Sequence, residues 1–285
     1  MKIYYIEIES RNEIAIEDDE QLYYLSSFGY DFKDINELIE SELDINSIDC
    51  TSGKKIDKEY KILSPITIPK QDIICVGMNY FDHIQEVKQN NQASNFKNNA
   101  AVYFSKRANK ILSTGETIPL NYEVTKRLDY EIELAVIIGK DCRKVSSSEV
   151  SEYIYGFSIF NDVSARDLQE KHEQWYCGKS FDGSSVMGPC ILINDKEVNY
   201  NNLGLKTYIN NEIRQNNNTK NMIFSVNDII SDLSKKMTLK KGTIIITGTP
   251  SGVGLGFNPP KFLKAGDKIS MNIDKIGEII NYIGD

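Results

Sequence analysis

The sequence predicts a β-rich α+β fold in which a small N-terminal domain precedes a larger domain. From Asp72 onward, short segments rich in β-branched and aromatic residues alternate with glycine-containing turns, which is typical of strands. The clearest helical patterns are SSSEVSEYIY at 146–155 and SVNDIISDLSKKM at 225–237, each with a serine suited to the N-cap. Many short strands with few helices indicate an α+β architecture.

The first 68 residues differ in residue pattern from the rest of the chain and are predicted to form a separate domain. MKIYYIEI alternates as a strand does, and DFKDINELIESELD at 31–44 has the pattern of a short amphipathic helix. Pro65 and Pro69 then restrict the backbone on either side, which is typical of a linker. We therefore expect an α+β domain at 1–68 and the larger domain at 69–285.

The larger domain contains eight apolar segments that we predict to be strands. In order they are IICVG, AVYFS, IELAVIIG, IYGFSIF, SVMGPCILI, GLKTYIN, GTIIITG and DKISMNI. The asparagine-rich stretch NNEIRQNNNTKN at 210–221 is interpreted as an exposed hairpin without a functional role.

Charge and cysteine content exclude several classes of protein. The net charge of −8 opposes binding to nucleic acid or to an anionic membrane, because both need a basic surface. No window approaches the roughly 18 apolar residues of a membrane span, and the first ten residues carry acids where a signal peptide needs an apolar stretch. The five cysteines are scattered and contain no CxxC pair, which favours reduced thiols in a cytoplasmic protein.

Three acidic residues occur in or beside predicted buried strands. In LDYEIELAVIIGK at 128–140, Glu131 and Glu133 are two residues apart, so on a strand their side chains share one face. Asp162 ends the next apolar segment. If the three carboxylates converge, their repulsion requires a positive partner, and a hard divalent cation is the simplest one. Alternatively, the two glutamates lie on the solvent-exposed face of a strand that is buried on its other face only.

Other polar residues are candidates for catalysis or for substrate binding. His83 and Glu86 are three residues apart, so on a helix the carboxylate could orient the imidazole as a general base. Lys179, in WYCGKSFDG, could stabilise an oxyanion, whereas His172 lies among charged residues and is expected to be exposed. The turn ITGTPSGVGLG at 246–256 lacks the spacing of a nucleotide-binding loop, so we expect a structural or substrate-contacting turn.

Taken together and in this order, these motifs resemble the fumarylacetoacetate hydrolase family. The similarity covers about three quarters of the chain, from Asp72 to the C-terminus. The stretches that carry it are ICVGMNYFDHIQE, AVYFSK, LDYEIELAVIIGK, YGFSIFNDVSARDLQ, WYCGKSFDG with the following GP, and LKKGTIIITGTPSGVG with FLKAGDKI. The resemblance implies sheets rolled around a central site and a homodimer.

The resemblance also implies a role for individual residues. It makes Glu131, Glu133 and Asp162 the ligands of Mg²⁺ or Mn²⁺, with Ca²⁺ as a further option. It makes His83, Glu86 and Lys179 catalytic. The implied substrate contacts are Arg166, Gln169 and Thr249.

The implied activity is metal-dependent hydrolysis of the C–C bond of an acylpyruvate or a related 2,4-diketo acid. His83, oriented by Glu86, would activate a water that attacks the distal carbonyl, and the products would be pyruvate and a carboxylic acid. The same scaffold is also suited to oxaloacetate decarboxylation or to isomerisation of the 5-carboxymethyl-2-hydroxymuconate type. A catalytically silent binding module is the remaining alternative.

Overall fold

The computed structural model describes residues 1–89, 100–172, 174–195 and 197–284. Its strands are β1 Lys2–Ile8, β2 Arg11–Asp18, β3 Gln21–Tyr24, β4 Lys61–Leu63, β5 Ile73–Gly77, β6 Val102–Lys106, β7 Thr117–Pro119, β8 Leu128–Asp129, β9 Ile132–Ile138, β10 Ile154–Asp162, β11 Ser164–Ala165, β12 Ser185–Ile193, β13 Gly204–Ile209, β14 Glu212–Asn218, β15 Ile244–Ile246, β16 Lys268–Ile273 and β17 Gly277–Gly284. Its α-helices are α1 Ile35–Ser41, α2 Phe81–Gln89, α3 Arg166–His172, α4 Tyr176–Lys179 and α5 Val226–Lys236. Short 3₁₀ turns occupy Leu25–Phe28, Ile45–Ser47, Cys50–Ser52, Val150–Tyr153, Thr219–Asn221 and Gly254–Gly256.

Two larger sheets and one strand pair make up the β-structure of the described residues. The long sheet has ten strands in the order β3-β2-β1-β12-β10-β9-β15-β5-β6, with β4 paired to β1. The second sheet has five strands in the order β14-β13-β16-β17-β7, and β11 pairs with β8. Most pairs are antiparallel, whereas β5 with β15 and β7 with β17 are parallel. The predicted β-rich α+β class is confirmed.

The N-terminal segment joins the long sheet directly. Strand β1 pairs antiparallel with β12, where Ile3 stands opposite Ile191. Helix α1 contributes Ile35 and Leu38 to the same hydrophobic cluster as Ile137 of β9. The sheet and its core are therefore continuous across residue 68, and the domain boundary there stays a prediction.

The two clearest helical patterns of the sequence have different outcomes. Helix α5 begins after Ser225, whose hydroxyl accepts from the backbone N–H of Asp228 in a complete capping box. The other segment forms only a 3₁₀ turn at Val150–Tyr153, so a long helix at 146–155 is wrong. The reason is that Ile154 begins β10, where it pairs with Ile138 of β9.

The central strand β9 is buried on both faces. Leu134 and Val136 face the five-stranded sheet and share a cluster with Leu205 and Met271, while Ile137 faces the cluster that contains α1. The predicted hairpin at 210–221 is displaced: these residues form the turn and the second strand, β14, and the first strand is β13 before them. However, it is not simply an exposed element, because Gln215 in its second strand is completely buried.

Candidate metal centre and active site

Three carboxylates meet where β9 begins and β10 ends. Strand β9 begins at Ile132, so Glu131 precedes it and Glu133 lies within it, while Asp162 is the last residue of β10. The backbone N–H of Asp162 donates to the carbonyl of Glu131 at 2.9 Å, which brings the strand ends together. One oxygen from each carboxylate lies within 4.8 Å of the others. All three side chains are buried: Glu131 is 5% exposed, Glu133 2% and Asp162 0%. This excludes the alternative that the glutamates lie on a solvent-exposed face of the strand.

Two buried lysines neutralise part of this charge. Lys179, at the end of α4, places its Nζ 2.7 Å from Glu131 Oε2 and 2.6 Å from Asp162 Oδ2. Burial alone would lower the pKa of Lys179, but Asp162 and Glu131 raise it above its usual value, so this side chain stays an ammonium. Lys106, at the end of β6, donates to Asp162 Oδ1 at 2.7 Å and to the carbonyl of Ser184 at 2.7 Å. Burial outweighs these contacts and lowers its pKa.

Lys106 positions Asp162, so its replacement should weaken metal binding. We expect Lys106→Met to reduce the affinity for Mn²⁺ by about 10–100-fold, as is usual when a group that orients a metal ligand is removed. Titration calorimetry on the purified variant measures this change. Lys110→Met is the matched control, because Lys110 is an exposed lysine that pairs with Glu116. Equal Mn²⁺ affinity in both variants would remove Lys106 from the site.

Arg166 links the acidic cluster to a fourth buried carboxylate. Its Nε donates to Asp129 Oδ2 at 2.8 Å, and its Nη1 donates to Gln169 Oε1 at 3.0 Å. Its Nη2 lies 2.7 Å from Glu131 Oε1, although the N–H bonds there are not aligned for a hydrogen bond. Asp129 also accepts from the backbone N–H groups of Tyr130 and Gly254. Asp129, which orients Arg166, was not among the residues predicted from the sequence motifs.

The glycine-rich turn after β15 binds carboxylates of the protein itself. The N–H of Gly248 donates to Glu133 Oε2 at 2.6 Å, and the N–H of Gly252 donates to Glu86 Oε1 at 2.9 Å. Gly252 has φ +100°, and a Cβ there would overlap the carbonyl oxygen of Arg214. The turn therefore uses its amides as an anion-binding loop does, but the anions are side chains of this chain.

Glu133 is the least compensated member of the cluster. Burial raises the pKa of Glu133 well above its usual value, and the neighbouring Asp162 and Glu131 raise it further. In contrast, the cations Lys179 and Arg166, with a smaller effect of His83, outweigh burial and lower the pKa of Glu131. Glu133 is thus the one carboxyl group of the three without an ion-pair partner among the described residues.

His83 and Glu86 form the predicted pair on helix α2. Nδ1 of His83 lies 3.0 Å from Glu86 Oε2, and His83 is 6% exposed. Glu86 accepts from the N–H of Gly252, in the same turn whose Gly248 N–H donates to Glu133 of the acidic cluster. His172 is exposed, as predicted. The histidine–carboxylate pair is therefore positioned beside the cluster.

The donor set fits a hard divalent cation. The groups that could hold a metal are all carboxylate oxygens, which Mg²⁺, Mn²⁺ and Ca²⁺ accept. With all groups in their ionised forms, the four carboxylates of Asp129, Glu131, Glu133 and Asp162 exceed the three cations of Lys106, Arg166 and Lys179 by one charge among these buried described residues. A cation held by Glu131, Glu133 and Asp162 would compensate it.

Comparison with known proteins identifies the family of this chain. A sequence profile of the fumarylacetoacetate (FAA) hydrolase C-terminal region matches residues 72–284. The chain belongs to the fumarylacetoacetate hydrolase family. Members of this family are enzymes that include hydrolases, isomerases and tautomerases. The family predicted from the sequence motifs is confirmed.

Individual members of the family differ in activity. The chain is 43% identical to the oxaloacetate tautomerase YisK of Bacillus subtilis over 226 residues. This aligned region covers 79% of this chain and 74% of YisK. A fumarylacetoacetate hydrolase structure from Exiguobacterium antarcticum is 33% identical with a TM-score of 0.87, covering 100% of this chain and 99% of that one. A 5-carboxymethyl-2-hydroxymuconate delta-isomerase structure from Mycobacterium smegmatis is 26% identical with a TM-score of 0.77, covering 100% and 98%.

Among the described residues, no helix combines the length and the apolar composition that crossing a membrane requires. The homodimer and the cytoplasmic location stay predictions.

Proposed function

We propose that the protein is a divalent-metal-dependent enzyme that interconverts the keto and enol forms of oxaloacetate or a similar short 2-oxo acid. The arrangement that carries the proposal is the histidine–carboxylate pair beside three buried carboxylates and two fixed cations. The 43% identity to an oxaloacetate tautomerase supports this substrate class.

His83 is the proposed proton carrier. Imidazole exchanges protons near neutral pH, and Glu86 holds Nδ1 at 3.0 Å, which leaves Nε2 to act on the substrate. In the enolisation direction the C3–H bond breaks and its proton passes to His83. The electron pair of that bond becomes the C2–C3 double bond, and the 2-oxo oxygen acquires negative charge. That oxygen then takes the proton from the His83 imidazolium, which returns the imidazole to its neutral form. The reverse sequence regenerates the ketone.

Lys179 and Arg166 are proposed to stabilise the negative charge of the enolate. The carboxylates around Lys179 raise its pKa, so it acts as a fixed charge and not as a proton donor. Gln169 would orient Arg166 through its hydrogen bond to Nη1. Thr249, next to the amide of Gly248, would donate its hydroxyl proton to a substrate oxygen.

We propose Mg²⁺ or Mn²⁺ as the cation, with Ca²⁺ as a further option, held by Glu131, Glu133 and Asp162. When bound, it would supply electrostatic stabilisation of a negatively charged substrate oxygen.

Hydrolysis of an acylpyruvate is the second candidate function. The observation that favours it is the same 3.0 Å contact between His83 and Glu86, since an oriented imidazole can also deprotonate water. The water would attack the distal carbonyl, and the C3–C4 bond would break to give pyruvate and a carboxylic acid.

A product assay distinguishes these reactions. Freshly dissolved enol-oxaloacetate and a panel of acylpyruvates are incubated with enzyme in Mg²⁺, in Mn²⁺ and in excess EDTA. Ultraviolet absorbance follows the enol, and a coupled dehydrogenase follows pyruvate. We expect faster, metal-dependent loss of enol without pyruvate release, measured against the same metal without enzyme. Pyruvate from acylpyruvates would favour the hydrolase, pyruvate from oxaloacetate the decarboxylase, and inactivity on the whole panel would contradict both candidates.

A further inference from the structure

Gln215 is a completely buried amide that connects two parts of the candidate site. Its Oε1 accepts from the backbone N–H of Ile132 at 3.2 Å and from Thr207 Oγ1 at 3.0 Å. Its Nε2 donates to Thr249 Oγ1 at 2.8 Å and to the carbonyl of Pro250 at 3.0 Å. These four bonds use the full capacity of a side-chain amide.

The orientation of this amide follows from its partners. The N–H of Ile132 can only donate and the carbonyl of Pro250 can only accept, so Oε1 must face Ile132 and Nε2 must face the turn. Gln215 therefore donates to Thr249, whose oxygen accepts. The hydroxyl proton of Thr249 must then point away from Gln215, and no acceptor for it is found among the residues that the structure describes.

The amide also holds the acidic strand. Ile132 lies between Glu131 and Glu133, so a bond to its N–H fixes the backbone that carries two of the three clustered carboxylates. One side chain thus sets the position of Thr249 relative to the acidic cluster. A neutral residue suits this role, because another carboxylate here would add to an existing excess of negative charge.

We propose that Gln215 is a positioning residue that directs the hydroxyl proton of Thr249 toward an anionic oxygen of the substrate. The inference rests on the proposed function, in which Thr249 contacts a 2-oxo acid. Gln215 itself need not touch the substrate, since it acts through Thr249. A glutamine that merely satisfied buried backbone groups would stabilise the fold without affecting ligand affinity.

The test uses oxalate as the probe, because its two adjacent carboxylates resemble the planar enolate of a 2-oxo acid. Oxalate binding is measured by calorimetry in saturating Mg²⁺ for the wild type, Gln215→Met, Thr249→Val and the double variant. We expect each single change to weaken oxalate binding by about tenfold, the usual order for one hydrogen bond to a charged group. The double variant should bind no more weakly than Thr249→Val, because Gln215 acts through Thr249.

Kinetics and a matched control separate positioning from general destabilisation. Gln215→Met should raise KM for oxaloacetate by about tenfold and change kcat by less than about threefold. Thr207→Val removes the other side-chain partner of Gln215 but leaves Ile132 and Thr249 in place, so its oxalate affinity should stay within about twofold. If Gln215→Met does not fold, Gln215→Asn replaces it: the amide is one methylene shorter and cannot bond Ile132 and Thr249 together, so oxalate binding should again fall.

Two results would overturn the inference: wild-type oxalate affinity in the folded Gln215 variant, or effects of Gln215→Met and Thr249→Val that multiply in the double variant. A wild type that binds oxalate but converts no 2-oxo acid would remove the proposed function and leave the binding result standing. A wild type that does not bind oxalate would overturn both.

Discussion

Glu133→Gln should stabilise the metal-free protein while abolishing metal binding. The glutamine keeps the volume of the side chain and can still accept from the N–H of Gly248, but it removes a buried charge that Asp162 and Glu131 repel. We expect the melting temperature in EDTA to rise by about 2–4 °C, the shift that about 1 kcal/mol causes in a chain of this size. The stabilisation that Mn²⁺ gives the wild type should disappear, and the affinity should fall by more than about 100-fold.

Glu131→Gln is the contrasting variant on the same cluster. Glu131 pairs with Lys179 and Arg166, so its neutralisation leaves two buried cations undercompensated. Removing one partner of a buried ion pair costs about 3–5 kcal/mol. The melting temperature in EDTA should therefore fall, although this variant also loses metal binding. Equal melting temperatures of the two variants in EDTA would contradict the assigned charge distribution.

The stability of the metal-free protein should depend on pH through the ionisation of Glu133. Burial and then the two neighbouring carboxylates raise its folded-state pKa above the usual 4.5. The folded state therefore holds a proton that the unfolded chain loses, and this contribution to stability is present below pH 4.5 and is lost as pH rises toward the raised pKa. Between pH 5 and 8, thermal unfolding in EDTA should show a smaller decline for Glu133→Gln than for the wild type.

His83→Asn should abolish most of the catalysis without affecting the metal. A positioned general base contributes about 10²–10⁴-fold to rate, and asparagine cannot take its proton. We expect kcat to fall by that factor on oxaloacetate, because Glu86 would then have no imidazole to orient. The affinity for Mn²⁺ should stay within about threefold of the wild-type value, since His83 is not among the residues that could hold the metal.

The second histidine of the chain provides the control for this prediction. His172 is exposed at the end of α3, so His172→Asn should leave kcat unchanged. Glu86→Gln should have an intermediate effect, because the imidazole remains but loses the charge that orients it. Wild-type turnover in His83→Asn would remove the histidine from the mechanism.

The acidic cluster was predictable because strand periodicity and burial acted together. The two-residue spacing of Glu131 and Glu133 places both carboxylates on one side of the strand, even though β9 begins only at Ile132. The apolar composition of the segments around these carboxylates indicated that the strands are buried. The order of the motifs then identified the family, which the match over residues 72–284 confirms.

Other features depend on packing that local patterns do not encode. Lys106 ends an apolar strand, and only the approach of β10 and Ser184 makes it a buried cation beside Asp162. Gln215 lies within an asparagine-rich segment, and its burial follows from the contact between the five-stranded sheet and β9. The helical pattern at 146–155 and the strand pattern IYGFSIF both include Ile154. Pairing of Ile154 with Ile138 of β9 favoured the strand.

Hydrogen exchange at C3 of oxaloacetate in D₂O tests the central claim most directly, because it reports proton abstraction whatever product follows. Nuclear magnetic resonance would follow loss of the C3 proton signal with wild-type enzyme and Mg²⁺, with Glu133→Gln, with His83→Asn and with Mg²⁺ alone. The proposed mechanism predicts rapid exchange only in the wild type. Exchange by the wild type at the rate of Mg²⁺ alone would contradict it.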